Sequence, residues 1–176
     1  MADLLVVTGP PGARKSTVAA RVVQAFDRAA LVPGDAFFAF WSRGAVSPWL
    51  PEAHAQNQVV LRAAGAASGA YVAGGCSVVY DGVLGPWLLT EFAEAATVPR
   101  LHYALILPPL ADCLTRVTTR RDHGFSDLAA AEHMHGEFSA ADVEERHVLR
   151  TAEEGPDAVA RLVLDRYESG DLLRDG

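Results

Sequence analysis

The stretch GPPGARKST, residues 9–17, concentrates the residue types and spacing that could do chemistry in this chain. A phosphate-binding loop reads Gly, four residues, Gly, Lys, then Ser or Thr. Gly9, Lys15 and Ser16 meet that pattern, and Arg14 stands where its second glycine belongs. In such a loop successive backbone N–H groups face the phosphates, and the N-terminus of the following helix adds its dipole. The pattern assigns Gly9, Gly12, Ala13, Arg14, Lys15, Ser16 and Thr17 to nucleotide binding. Lys15 would reach the β- and γ-phosphates, Ser16 would place its hydroxyl on magnesium, and Thr17 would bond the α-phosphate. The plain alternative is a Gly-Pro turn that opens a helix.

Arg14 is the departure. The backbone before the lysine curls tightly, and a positive φ there costs a bulky residue about 1–2 kcal/mol. Three readings follow. The loop tolerates the arginine, or it is distorted and binds nucleotide weakly, or the arginine is a single-base change from glycine. The intact surroundings favour retained binding. Lys15 is the only lysine in the chain, just as Asn57 is the only Asn and Ile106 the only Ile. A coding bias that has turned every other such position to Arg has left a lysine where a compact ammonium, and not a planar guanidinium, fits under a phosphate loop.

Further polar residues cluster in three places. Asp35, in VPGDAFF, could take the proton of a substrate hydroxyl while magnesium and Lys15 hold a γ-phosphate; the same residue would serve as a helix N-cap. Asp81, in SVVYDG, could hold magnesium, partly through water, or orient substrate; an Asp-Gly turn is the alternative. In RVTTRRDHG, Arg116 and Arg120 lie four apart on one helical face, with Arg121 and His123 just beyond. Guanidinium groups on a flap would neutralise a transferring phosphoryl group, although a basic helix end is also favoured by the dipole alone. His133 and His135, even with His123, lack Cys or acids at metal-ligand spacing. The aromatics Phe37, Phe38, Phe40, Trp41, Trp49 and Trp87 flank the two aspartates, with Arg43, Glu52, His54, Gln56 and Asn57 nearby. We read Phe38, Arg43, Asn57 and Asp81 as substrate-facing, on an apolar wall with a few polar anchors.

The elements that must position these groups alternate. DLLVVTG is a buried strand, and STVAARVVQAFDRA a helix with apolar residues at helical spacing. ALVPGD is a second strand ending at Asp35. Residues 36–51 are aromatic and turn-rich, and a long small-residue helix closed by Gly74-Gly75 follows. CSVVYDG, LHYALILPP and RHVLRT are further strands. PWLLTEFAEAA, LADCLTRVTTRR, DLAAAEHMHGEFS and PDAVARLVLDRYES are helices between and after them. Strands alternating with helices imply one five-stranded parallel sheet covered on both faces. Ligands then bind beyond the carboxyl ends of the strands, which gathers the loop, Asp35 and Asp81.

With 176 residues the expectation is a single domain, residues 1–176, with an acceptor-binding insertion over about 36–75 and a lid over about 120–140. A net charge of −7 argues against a nucleic-acid partner. The apolar runs are short or broken, so no membrane span is expected. A start without a positive flank or cleavage site, and two cysteines read as reduced thiols, point to the cytoplasm.

On GPPGARKST, the GD pair at Asp35, VVYDG at Asp81 and RVTTRRDHGFS, the chain resembles the small P-loop kinases: nucleoside-monophosphate kinases, gluconate kinases and chloramphenicol phosphotransferases. The resemblance covers most of the chain. It implies an α/β three-layer P-loop NTPase fold with a small helical lid, and ATP and Mg2+ as cofactors. It also implies Asp35 as the base that activates an acceptor hydroxyl, Arg120 and Arg121 as lid arginines, and Arg116 against the adenine. SPWLPEAHAQN and DGVLGPW do not look like the segments that hold a nucleoside monophosphate, so the implied acceptor is a small hydroxylated metabolite or antibiotic. A binding module without transfer, the consequence of Arg14, is the alternative, and a nucleotide kinase a third. The sequence implies no oligomeric state.

Overall fold

A computed structural model describes residues 2–119 and 126–174. Its strands are β1 (Leu4–Thr8), β2 (Ala29–Pro33), β3 (Ser77–Asp81), β4 (Leu101–Ile106) and β5 (Val148–Leu149). All four pairings are parallel, in the spatial order β2-β3-β1-β4-β5. The helices are α1 (Lys15–Val22), α2 (Gly34–Ala39), α3 (His54–Ala73), α4 (Leu89–Ala96), α5 (Leu110–Thr119), α6 (Leu128–Ala140) and α7 (Pro156–Ser169). This is the expected three-layer arrangement of a five-stranded parallel sheet between helices.

The strand sequences explain the layers. A parallel sheet buried on both faces needs continuous apolar runs rather than alternation. LLVVT and LHYALI are buried at every position. Leu4, Val6, Val78, Tyr80, Tyr103 and Leu105 pack with α3 and α4 through Leu61, Ala64, Leu89 and Phe92. Leu5, Val7, Val79, Ala104 and Ile106 pack with α1 and α7 through Val18, Val22, Val159 and Val163. The small residues of α3 have a use here: a Cβ at Gly65 or Gly69 would overlap the carbonyl oxygens of Phe92 and Ala96 on α4. The two helices therefore lie backbone against backbone.

Several boundaries differ from the sequence reading. β2 stops at Pro33, and Gly34 and Asp35 already belong to α2, whose N-cap is Pro33 without a side-chain cap bond. Asp35 is thus neither the end of a strand nor an N-cap; it sits in the first turn of a short helix. Helix α1 ends at Val22 and tightens into a 3-10 turn over Val23–Ala25. The fifth strand shrinks to Val148–Leu149, because Glu145–His147 wind into a 3-10 turn and β4 offers only Leu105 and Ile106 as partners. Asp127 caps α6, accepting the Ala130 N–H at 3.0 Å. After α7 the chain returns to the sheet: the Tyr103 N–H donates to the Leu172 carbonyl (2.8 Å) and the Arg174 N–H to the Leu101 carbonyl (2.9 Å). No helix among the described residues is long and apolar enough to cross a membrane.

Candidate active site

The carboxyl ends of β1, β2 and β3 meet at one edge of the sheet, with Pro33 level with Asp81 and Asp81 level with Val7. The loop between β1 and α1 lies over that edge. Gly12 has φ +82°, and a Cβ there would overlap the backbone of Cys113 on α5; a Cβ at Gly9 would overlap the Ile106 carbonyl oxygen. The loop is therefore seated on β4 and α5 by close backbone contact that only glycine permits. Arg14 has φ 65° and ψ 21°, the left-handed conformation. Its carbonyl accepts the Val18 N–H at 3.1 Å, so the first turn of α1 forms normally despite that conformation. No side chain caps α1 and no acid lies in its first turn. Its N-terminal N–H groups and dipole thus remain directed at whatever the loop holds.

Lys15 is half-buried, and its Nζ donates to the Pro10 carbonyl at 3.5 Å. Ser16 is exposed at the helix start, Thr17 is half-buried, and Ala13 is buried in the core beneath the loop. Arg116 donates from one guanidinium nitrogen to the Gly12 carbonyl (3.2 Å), while another lies 3.7 Å from Asp112. It braces the loop from α5. Cys113, beneath Gly12, is fully buried, and burial pushes its thiol pKa up.

Asp35 is exposed on α2 and Asp81 is buried at the end of β3. Tyr80 is buried beside them, its hydroxyl packed against Gly34, the residue before Asp35. Burial raises its hydroxyl pKa first, and the charges of Asp35 and Asp81 raise it further. The phenol stays protonated and neutral beside the two carboxylates. Gly34 packs directly on that ring, since a Cβ would overlap the Tyr80 hydroxyl. The buried Thr8 pins the loop after β3: its Oγ1 accepts the Leu84 N–H (2.9 Å) and donates to the Leu84 carbonyl (3.1 Å). The Tyr103 hydroxyl donates to the same carbonyl at 2.9 Å.

A cavity of about 710 Å3 opens over these groups. Gly12, Lys15 and Ser16 line one part, with Asp35, Phe38 and Asn57 also on its wall. The insertion supplies Pro48, Trp49 and Leu50, held to α3 by two side chains. Gln56 bonds both the N–H and the carbonyl of Val46 at 2.8 Å, and the Asn57 amide donates to the Pro48 carbonyl at 2.7 Å. Trp87, and His133, Met134 and Glu137 of α6, complete the wall.

Of the residues singled out from the sequence, the structure brings Gly12, Lys15, Ser16, Asp35, Phe38 and Asn57 to this one cavity, together with Trp49, Trp87, His54 and His133. Gly9, Ala13, Arg14 and Thr17 belong to the loop and its helix without lining it, and Asp81 and Arg116 adjoin it from the sheet and α5. Arg43 is exposed on the insertion and does not line the cavity, and the exposed Phe40 and Trp41 are likewise off its wall. Arg120, Arg121 and His123, and with them the first part of the expected lid, lie outside the described residues. The sequence reading set His133 aside as a metal ligand and named neither Met134 nor Glu137, although all three fall within the expected lid. Their signal is helical spacing: they share the face of α6 adjoining the buried Phe138, whose ring centroid lies 5.2 Å from that of Trp87.

The residues present suit a nucleoside triphosphate with magnesium. An uncapped helix start without a nearby acid fits phosphate, and a hydroxyl and a carboxylate, Ser16 and Asp81, are the hard oxygen donors that magnesium takes.

The same architecture occurs in solved structures. A sugar kinase from Janibacter sp. HTCC2649 superposes with a TM-score of 0.73 at 18% identity, over 96% of this chain and 95% of that one. The fold is that of the small P-loop kinases. A tunicamycin resistance protein of Deinococcus radiodurans matches over 100% of both chains, with a TM-score of 0.70 and 13% identity. Shikimate kinase from Acinetobacter baumannii, solved with shikimate, matches with a TM-score of 0.62 at 17% identity, over 98% of this chain and 96% of that one. No protein-family model and no curated protein matches the sequence. At these identities the likeness concerns the P-loop kinase fold, and what the chain does with it must come from its own residues.

Proposed function

We propose that the protein is an ATP-dependent phosphotransferase that moves the γ-phosphoryl group to a hydroxyl of a small, non-nucleotide molecule. The observation that carries this reading is the shared cavity: Lys15 and Ser16 of the phosphate loop and the carboxylate of Asp35 open onto one space with an apolar wall. A hydroxyl held beside Asp35 would give its proton to the carboxylate as its oxygen attacks the γ-phosphorus. The bond from that phosphorus to the β,γ-bridging oxygen breaks, and ADP leaves. Lys15 would reach the β- and γ-phosphates, and Arg116, which bonds the Gly12 carbonyl, would lie against the adenine. Arg120 and Arg121, which lie outside the described residues, would serve as the lid arginines that neutralise the transferring group. Ser16 and Asp81 would hold Mg2+, which supplies charge neutralisation of the phosphates when bound. Small-molecule kinases among the proteins of this fold support the reading, and a cytoplasmic location, where ATP is at hand, is part of the same proposal.

The test is magnesium-dependent ATP turnover against a panel of hydroxylated acceptors. Asp35→Asn should lose about 10²–10⁴-fold in transfer while still binding ATP by calorimetry. Transfer unchanged in Asp35→Asn would remove Asp35 from the mechanism, and absence of ATP binding to the wild-type chain would sink the proposal. A second reading, nucleotide binding without transfer, rests on the left-handed backbone of Arg14.

A further inference from the structure

The side chains around the acceptor half of the cavity restrict the charge of what enters it. Lys15 is the only Lys or Arg among the described residues that line the cavity, and it belongs to the phosphate loop. The other titratable groups on the wall are the carboxylates of Asp35 and Glu137 and the imidazoles of His54 and His133. Arg43, the nearest cation of the insertion in sequence, is exposed and away from the wall. The apolar surface is supplied in large part by Phe38, Trp49 and Trp87.

Glu137 is held in place by its helix. Phe138 is buried against Trp87. The His135 Nε2–H donates to the Pro108 carbonyl at 2.8 Å, tying α6 to the end of β4. Glu137 itself lies 3.6 Å from His133, one turn earlier on the same cavity-facing side. Once the phosphates of ATP engage Lys15, an acceptor meets two carboxylates, aromatic faces and no fixed cation from the described residues.

We infer that the acceptor is an alcohol with an apolar, ring-sized body and no negative charge, and that Glu137 is a specificity-determining residue that excludes carboxylates. The inference rests on the phosphotransferase reading and deepens it. Beside Asp35 and Glu137, a carboxylate or phosphate on the acceptor would have to be desolvated next to like charge with no Lys or Arg partner from the described part of the acceptor wall, which costs more than the apolar wall returns. A neutral ring gains the wall outright, and an ammonium group adds cation–π contact with the tryptophans.

Three size-matched probes test this: 3-phenyl-1-propanol, its 4-aminomethyl derivative and its 4-carboxy derivative, with shikimate as a second anion. Each is titrated by quenching of intrinsic tryptophan fluorescence with a non-hydrolysable ATP analogue present, and assayed for phosphorylation with ATP. The neutral and cationic probes should each bind at least tenfold more tightly than the 4-carboxy probe and shikimate. Glu137→Lys, an exchange at a half-exposed helix position, should narrow the gap between neutral and carboxy probes about tenfold, as expected for reversing one nearby charge across a partly solvated site. Anions binding as well as or better than the neutral probe overturn the inference, as does binding by none of the three phenylpropanols. A gap that Glu137→Lys leaves unchanged removes Glu137 from the selection. Failure of the parent reading looks different: the probes bind in the expected order and no hydroxyl is phosphorylated.

Discussion

Replacing Arg14 by glycine tests how the loop carries its departure from the motif. Arg14 adopts φ 65° and ψ 21° in the folded chain. That conformation costs an L-residue about 1–2 kcal/mol, whereas glycine adopts it freely. Glycine also gives the unfolded chain more freedom to lose, about 0.5–1 kcal/mol. The net gain on Arg14→Gly is therefore about 1 kcal/mol, which for a chain of this size raises Tm by about 2–4 °C. Arg14→Ala keeps the conformational cost while removing the guanidinium, so its Tm should stay near that of the parent. Because the loop already has this geometry, the cost falls on folding rather than on nucleotide binding, and the ATP Kd of Arg14→Gly should stay within about threefold of the parent's, since threefold is well under 1 kcal/mol. Thermal denaturation of the three proteins, followed by calorimetric titration with ATP and magnesium, gives both readouts. A lower Tm for Arg14→Gly would refute the strain argument. An ATP affinity raised tenfold or more would refute the claim that the loop already has its binding geometry, whereas tight ATP binding without turnover, with turnover restored by Arg14→Gly, would favour the module without transfer.

Lys15→Arg keeps the charge but replaces an ammonium on a thin stem with a plane that the half-buried site over the Pro10 carbonyl does not accommodate. Transfer should fall by at least about 100-fold, the scale of losing one aligned charge stabiliser, with Tm nearly unchanged; near-parental turnover would contradict it. Stability should also decline on mild acidification. His102 and His147 are fully buried, and burial lowers both pKa values below the ordinary 6.5, for His102 in spite of Asp3 at 3.4 Å. A lowered folded-state pKa means that the unfolded chain binds more protons from about pH 6.5 downward, so stability falls as pH falls through that window. Denaturant midpoints at pH 7.5 and 5.5 should show the drop, and a combined His102→Gln, His147→Gln variant should show a shallower one. A midpoint that rises on acidification, or an equal slope in the variant, would contradict the assignment.

The fold was legible because its signals are local and continuous. LLVVT and LHYALI can only be strands buried on both sides, and helical periodicity fills the gaps between strands. What local pattern could not supply was where a strand hands over to the next element. GD after ALVP read as a strand end, yet Gly34 is small enough to sit on Tyr80 and let the chain turn into α2 two residues earlier than the hydrophobic run implied. The return of the C-terminus to β4 was invisible for a related reason. Leu172 and Leu173 follow a helix with no strand pattern of their own, and their partners are already paired on the other side of the sheet.

The site divides along the same line. Residues at the ends of parallel strands converge whatever the helices do, so Lys15, Ser16 and Asp81 could be placed from order alone. Residues on the insertion and on α6 converge only if particular contacts form. Arg43 and Asn57 both lie between the two aspartates in sequence, Arg43 the nearer to Asp35. Asn57 reaches the cavity because it sits one turn into α3 and ties down Pro48, whereas Arg43 lies before the Val46 bonds that fix the loop and points outward from it. In the same way His133 and Glu137 gain their position from Phe138 docking on Trp87, a contact between segments about fifty residues apart; helical spacing within HMHGEF shows the shared face but not the partner it meets. The phosphate-loop half of the cavity is thus written into the sheet, while the half proposed to select the acceptor depends on how two helices are seated against it. A change of acceptor would therefore require no change in β1, β2 or β3, only new side chains at positions such as 57, 87 and 137.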